Sequence, residues 1–176
     1  PTDNRELLMR SHTLQLVERS RVTSAFSSIR EFGIFLDGTF NTGGRTRLRP
    51  SIAITNGDGL NVYNPDFGGL KYGGRIDFLP FGTFVNLGQY HQVDMMRELT
   101  PKLVIGAAYS VNQGMSSRRG RTSGDILYLD DNDEYALPNF SKLCVDFVFK
   151  WRGFSAIGEF VSTSASVPTD ITQRIR

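Results

Sequence analysis

The 176-residue chain is poor in the residues that usually carry chemistry. One cysteine, Cys144, excludes an internal disulfide framework and any cysteine-based zinc site. Two histidines, His12 and His91, stand without metal-ligand spacing. His91 with Asp94 and a serine would complete a triad only by geometry, and no nucleophile elbow is present, so no enzyme is expected. No run of about 18 or more apolar residues occurs, so the sequence offers no transmembrane helix. That absence leaves β-barrels open, because their strands carry only an alternating signal. The opening residues PTDNRELLMR are charged and lack the apolar stretch of a secretory leader.

What is present is alternation. Successive side chains of a strand point to opposite faces, and the chain repeatedly sorts its residues that way. In Lys142–Arg152, Leu143, Val145, Phe147, Phe149 and Trp151 form one face, while Lys142, Asp146, Lys150 and Arg152 lie on the other with Cys144 and Val148. Arg47–Thr55, Leu70–Phe78, Lys102–Ser110 and Phe32–Phe40 repeat the pattern, and Phe154–Ser162 repeats it more faintly. The spacing predicts six strands. Turn-forming residues separate them at NTGG (41–44), NGDG (56–59) and NPDFGG (64–69). Arg152-Gly153 predicts a two-residue hairpin. Residues 112–138 form a long polar connection, and short turns opposite long loops are the asymmetry of outer-membrane barrels. Residues 1–29 alternate poorly and predict a loop with a short helix near Arg5–Arg10; Phe84–Leu99 reads as a connection.

Several stretches resemble the phosphate-selective porins of the outer membrane, the porin O and P family with its Bacteroidetes-type relatives. They are LQLVERSRVTSAFSSIREFGIFLDG (14–38), RIDFLPFGTF (75–84), LTPKLVIGAAYSVN (99–112) and FKWRGFSAIGEF (149–160). The resemblance implies an all-β, antiparallel transmembrane barrel, of which residues 1–176 supply about six strands and an inward loop. Such barrels have more strands and usually close on an aromatic one, so the chain reads as part of a larger wall. The resemblance also implies an aqueous anion-preferring pore narrowed by residues 1–29.

If the apolar faces meet lipid, the other faces line a lumen. They carry Arg47, Arg49, Lys71, Arg75, Lys102, Lys142, Lys150 and Arg152 against Asp37, Asp77, Asp146 and Glu159. Basic lining favours anions such as phosphate, which arginine's planar fork suits. The bland alternative is that these charges pair with the carboxylates and hydrate a general pore. Arg19, Arg21 and Arg30, in the inward loop, are the candidate eyelet; neutralisation by Glu18 and Glu31 is the competing reading. Asp130, Asp131, Asp133 and Glu134 are dense enough to hold Ca²⁺ but lack the spacing of a calcium loop, which favours a hydrated extracellular loop. Ser117–Arg121 (SRRGR) is expected to pair with that cluster. Cys144 reads as a small filler.

The expected partners are the outer-membrane bilayer, small anions and a homotrimer or membrane-complex partner; no cofactor and no nucleic acid are expected. Three alternatives stay open. One is a soluble antiparallel barrel that binds a small apolar ligand. The others are a structural outer-membrane barrel subunit and a barrel enzyme with a Ser-His pair on its lipid face.

Overall fold

The computed structural model describes residues 3–9, 11–14, 19–26, 31–57, 69–114, 128, 129, 131, 132, 138–166, 173 and 174. Its main feature is an antiparallel sheet of seven strands, open at both edges. These are β1 (Gly33–Asp37), β2 (Phe40–Gly43), β3 (Thr46–Thr55), β4 (Lys71–Leu79), β5 (Lys102–Asn112), β7 (Asn139–Trp151) and β8 (Phe154–Ser166). A short separate pair joins β6 (Tyr128–Leu129) to β9 (Gln173–Arg174). In the main sheet the order is β1-β3-β4-β5-β7-β8, with β2 continuing β1 along the same side of β3. Each alternating run thus became a strand beside its predecessor, and the run Phe32–Phe40 broke in two.

The break has a local cause. Pro50 lies opposite it in β3 and accepts a hydrogen bond at its carbonyl from Gly38 N, 2.9 Å away. In an antiparallel ladder a residue's N–H and C=O point to the same neighbour, and proline has no N–H to give. The ladder loses one rung there, and the edge strand is interrupted between Asp37 and Phe40.

Two connections at one end of the sheet are two residues long, Gly44-Arg45 and Arg152-Gly153. At Arg152 and Gly153 φ is 50° and 93°, the left-handed pair of a type I′ turn, whose twist matches the flanking strands. The third connection at this end, residues 80–101, turns back on Gly82 and continues as a 3-10 turn, Val85–Tyr90. It folds over one face of the sheet. The opposite end carries the connections 56–70 and 113–138.

The same face is covered by the N-terminal segment. Its short helices are α1 (Arg5–Leu8), anticipated from the sequence, and α2 (Arg21–Phe26), where a loop was expected. Met9 and Phe84 descend from these covers onto Leu79, Val104 and Val148 to make a small apolar core. Beyond it the covered face is charged: Lys71, Arg75, Asp77, Lys142, Asp146 and Lys150 are all buried. The opposite face, which none of the described residues covers, is apolar, with Ile76, Ile105, Val145 and Phe147 each between 41% and 44% exposed. On this face the Phe147 ring lies across Gly158 of β8, where an added Cβ would come within 2.3 Å of it.

The hairpin yields a test. Gly153→Val puts a branched residue at positive φ and is expected to destabilise the chain by about 1–2 kcal/mol. Arg152→Asn, a residue that tolerates this conformation, is expected to cost nothing in the same urea titration.

Candidate functional site

The centre of the covered face is a cross-strand row, Asp77 of β4, Gly106 of β5 and Asp146 of β7, placed side by side by the register. Gly106 leaves a notch between the two carboxylates. Two guanidiniums fill it. Arg5 of α1 is fully buried and gives two hydrogen bonds to Asp77 (2.6 and 3.0 Å) and one to Asp146 Oδ1 (3.1 Å). Arg75 of β4 reaches Asp77 (2.9 Å), Asp146 Oδ1 (2.7 Å) and the backbone carbonyl of Asp3 (2.7 Å). A Cβ at position 106 would sit 2.0 Å from Arg75 Nη2 and 2.6 Å from Asp146 Oδ1. The cluster exists because one residue on a charged row has no side chain.

Further ties flank it. Lys142 Nζ donates to Asp3 at 2.6 Å and to the Phe26 carbonyl at 3.0 Å, joining β7 to both ends of the N-terminal segment. Lys71 Nζ donates to Glu31 at 2.8 Å. Glu6 accepts from Ser20 (N and Oγ), Thr23 and Gln92, while Arg19 donates to the carbonyls of Glu6 and Met9. Burial alone would raise the carboxyl pKa values of Asp3 and Glu6. The Lys142 ammonium outweighs that for Asp3, and the hydroxyl and backbone donors outweigh it for Glu6, so both are lowered. Between this segment and β8 lies a cavity of about 440 Å³ lined by Glu6, Ser20, Val22, Gln92, Ser155, Ile157 and Glu159.

The basic residues singled out from the sequence divide into two groups. Lys71, Arg75, Lys142 and Lys150 lie under the covers, the first three in ion pairs and Lys150 donating to the Val93 carbonyl at 2.8 Å. Pairing with carboxylates therefore describes the buried group. Arg47, Arg49 and Lys102 lie half-buried on the same face near the short-turn end, and Arg152 is exposed in the hairpin. Arg47 and Lys102 donate to backbone carbonyls, Arg49 lies 5.9 Å from the Tyr90 ring centroid and Arg152 lies 5.4 Å from that of Trp151. Arg21 is exposed on α2. Arg30, Asp130, Asp133 and Glu134 fall outside the described residues; Asp131 is exposed.

The covers also bring Asp3, Glu6, Glu31, Asp94 and Glu98 to this face, all partly or wholly buried, which moves the basic excess counted on the strands towards balance. Cys144, 1% exposed, has its thiol 3.9 Å from Asp3, the position of a filler. Asp94, the suspected triad member, accepts from the backbone N–H groups of Glu98 and Gly153 and serves as a clasp. The sequence reading missed Arg5, Asp3, Asn4, Glu6 and Gln92. A glycine inside a charged strand row was the one available sign of a close approach. No family model, no curated protein and no solved structure matches the chain.

Two outcomes test this arrangement. Arg5→Ala strands two buried carboxylates on Arg75 alone and is expected to cost about 3–5 kcal/mol, as does breaking a buried pair. Gly106→Ala is expected to undock the N-terminal segment, read as loss of proteolytic protection at Arg19 and Arg21. The pH dependence has a definite sign. Asp3 and Glu6 have folded pKa values below their unfolded ones, so their contribution is complete above the unfolded values near 4. It drains away as pH falls through the lowered folded values. Thermal stability of the parent is expected to drop over that range, and more steeply than that of Asp3→Asn/Glu6→Gln.

Proposed function

We propose that the chain forms part of the wall of a porin-type channel in the bacterial outer membrane, passing small hydrophilic solutes with a preference for anions such as phosphate. One observation carries the reading: the long strands expose aromatic and aliphatic residues on one face, while β4 and β7 bury their charges on the other. In water, lysine, arginine and aspartate are almost never fully buried unless paired, and monomeric proteins rarely present a continuous apolar face. A hydrocarbon solvent reverses that preference. The resemblance of residues 14–38, 75–84, 99–112 and 149–160 to phosphate-selective porins points the same way. The competing soluble barrel would turn its apolar face towards a ligand, whereas here the covered face is the charged one.

In this reading α1 and α2 narrow the lumen from within, and solute charge is sensed by the basic groups outside the buried ion pairs. Those are Arg21 on the inward segment and Arg47, Arg49, Lys102 and Arg152 near the short-turn end. Two unit charges about 4 Å apart interact by roughly 4 kcal/mol at an effective dielectric near 20, so a few such groups in a narrow passage suffice. In a wide passage, screening beyond a Debye length of about 8 Å would leave a mild bias.

Planar-bilayer recordings in a salt gradient test the proposal. The parent is expected to give discrete channels whose reversal potential favours anions. Arg21→Ala/Arg47→Ala/Arg49→Ala is expected to shift that potential towards cations, and more at low salt. A cation-preferring parent, or a triple variant with unchanged selectivity, contradicts the assignment. Phe147→Arg on the outer face is expected to cost about 2–4 kcal/mol in lipid if it lies near the midplane. A negligible cost would mean that the face never meets the bilayer core.

A further inference from the structure

We infer that the connection 80–101 carries a docking surface for an acidic segment of another protein, one that sets apolar anchors between carboxylates. The inference goes beyond the channel reading and does not rest on it, because the surface lies on the layer that covers the charged face and not on the face assigned to lipid. Within this connection Phe84, Asp94 and Glu98 are buried, whereas Val85, Leu87, Met95, Met96 and Leu99 are between 47% and 85% exposed. Hydrogen bonds gather the exposed residues into one patch. Glu98, next to Leu99, accepts the Val85 N–H at 2.6 Å, and Asn86 Nδ2 donates to Met96 Sδ at 3.4 Å. Asp94 accepts the N–H groups of Glu98 and Gly153, and the Glu98 carbonyl accepts that of Arg152, which braces the patch on the β7–β8 hairpin. A surface held in advance binds with little ordering cost, and methionine adapts its shape to a guest.

Backbone strain is an independent second observation. Leu87 has φ 56° and ψ 35°, the left-handed region, and follows Asn86 in the same region at φ 47°. Asparagine tolerates that conformation; leucine takes it at a cost, and a side chain left mostly in water does little to offset it. Glycine or a second asparagine would make the same turn with less strain. A partner that buries the leucine accounts for its presence.

Charge selects that partner. The three segments at this end of the sheet, 40–48, 79–103 and 149–156, hold two acidic residues, Asp94 and Glu98, and both are buried. Arg45, Arg97 and Arg152 of the same segments are exposed. Arg97 Nε lies 3.8 Å from where a Cβ on Gly153 would stand, and the Arg45 carbonyl lies against Gly82. An apolar patch whose exposed rim charges are all basic complements carboxylates interspersed with apolar side chains and repels a basic segment.

Fluorescence anisotropy tests this on the folded full chain in zwitterionic detergent, with detergent alone as the blank. One labelled peptide combines leucine and glutamate at helical spacing; its companion replaces every glutamate by lysine. Saturable binding of the glutamate peptide is expected, weakened by added salt, with none of the lysine peptide. Leu87→Asn removes an anchor while relieving the backbone. It is expected to weaken binding at least about tenfold, which is about 1.4 kcal/mol, with no loss of stability in urea. Arg97→Asn/Arg152→Asn puts a tolerant residue at both left-handed positions and is expected to weaken binding and flatten its salt dependence. No binding of the glutamate peptide, equal binding of the lysine peptide, or unchanged affinity in either variant overturns the inference. Failure of the glutamate peptide together with binding to phosphatidylglycerol vesicles that the double variant abolishes also overturns it, and assigns the patch to an anionic lipid surface instead.

Discussion

The structure turns on two guanidiniums set between two carboxylates over a missing side chain. Arg5 and Arg75 lie between Asp77 and Asp146 because Gly106 leaves them room. The four charges cancel within the cluster, and most of their donors and acceptors point inward. Taking them from water is expensive, and the sum is favourable only while every partner is present. The cluster thus adds less to raw stability than to specificity. It favours the arrangement of the N-terminal segment that gives Asp77 and Asp146 both guanidiniums, and so bears on how that segment lies on the sheet.

From that anchor the rest of the covered face follows. Once Arg5 is seated, Asp3 meets Lys142, Met9 meets Val104 and Val148, and Glu6 meets Ser20, Thr23 and Gln92. The connection 80–101 completes the cover: Glu98 accepts the Val85 N–H within it, and Asp94 accepts the Gly153 N–H and so ties it to the β7–β8 hairpin. The opposite face has no such cover among the described residues. Its row of Ile76, Ile105, Val145 and Phe147 would be a liability in water and is an asset against lipid.

The strands were legible in the sequence because period-two alternation is a local signal, and on a sheet with two chemically distinct faces it is strong. Lys142–Arg152 shows it most clearly, and β7 shows it again in alternate burial along its length. The split of the edge strand was less visible, since it depends on what Pro50 withholds from a neighbour. The site was legible only in part. Arg75, Asp77, Lys142 and Asp146 could be assigned to one face, but whether they line open space or are covered depends on Arg5, far away in sequence. No periodicity announces that partnership. The expected basic excess was counted on strands alone, and Asp3, Glu6 and Glu31 enter from segments that strand counting leaves out.

The account rests most directly on the two faces of β7 meeting different surroundings. Single cysteines at 142–151, in a Cys144→Ser background except at position 144 itself, can be spin-labelled in lipid vesicles and probed for collision with dissolved oxygen, which concentrates in hydrocarbon. The account predicts high oxygen accessibility at 143, 145, 147 and 149 and low accessibility at 142, 144, 146 and 148, a period of two along the strand. Uniform accessibility, or the opposite phase with the charged positions exposed and the aromatic ones shielded, would contradict it.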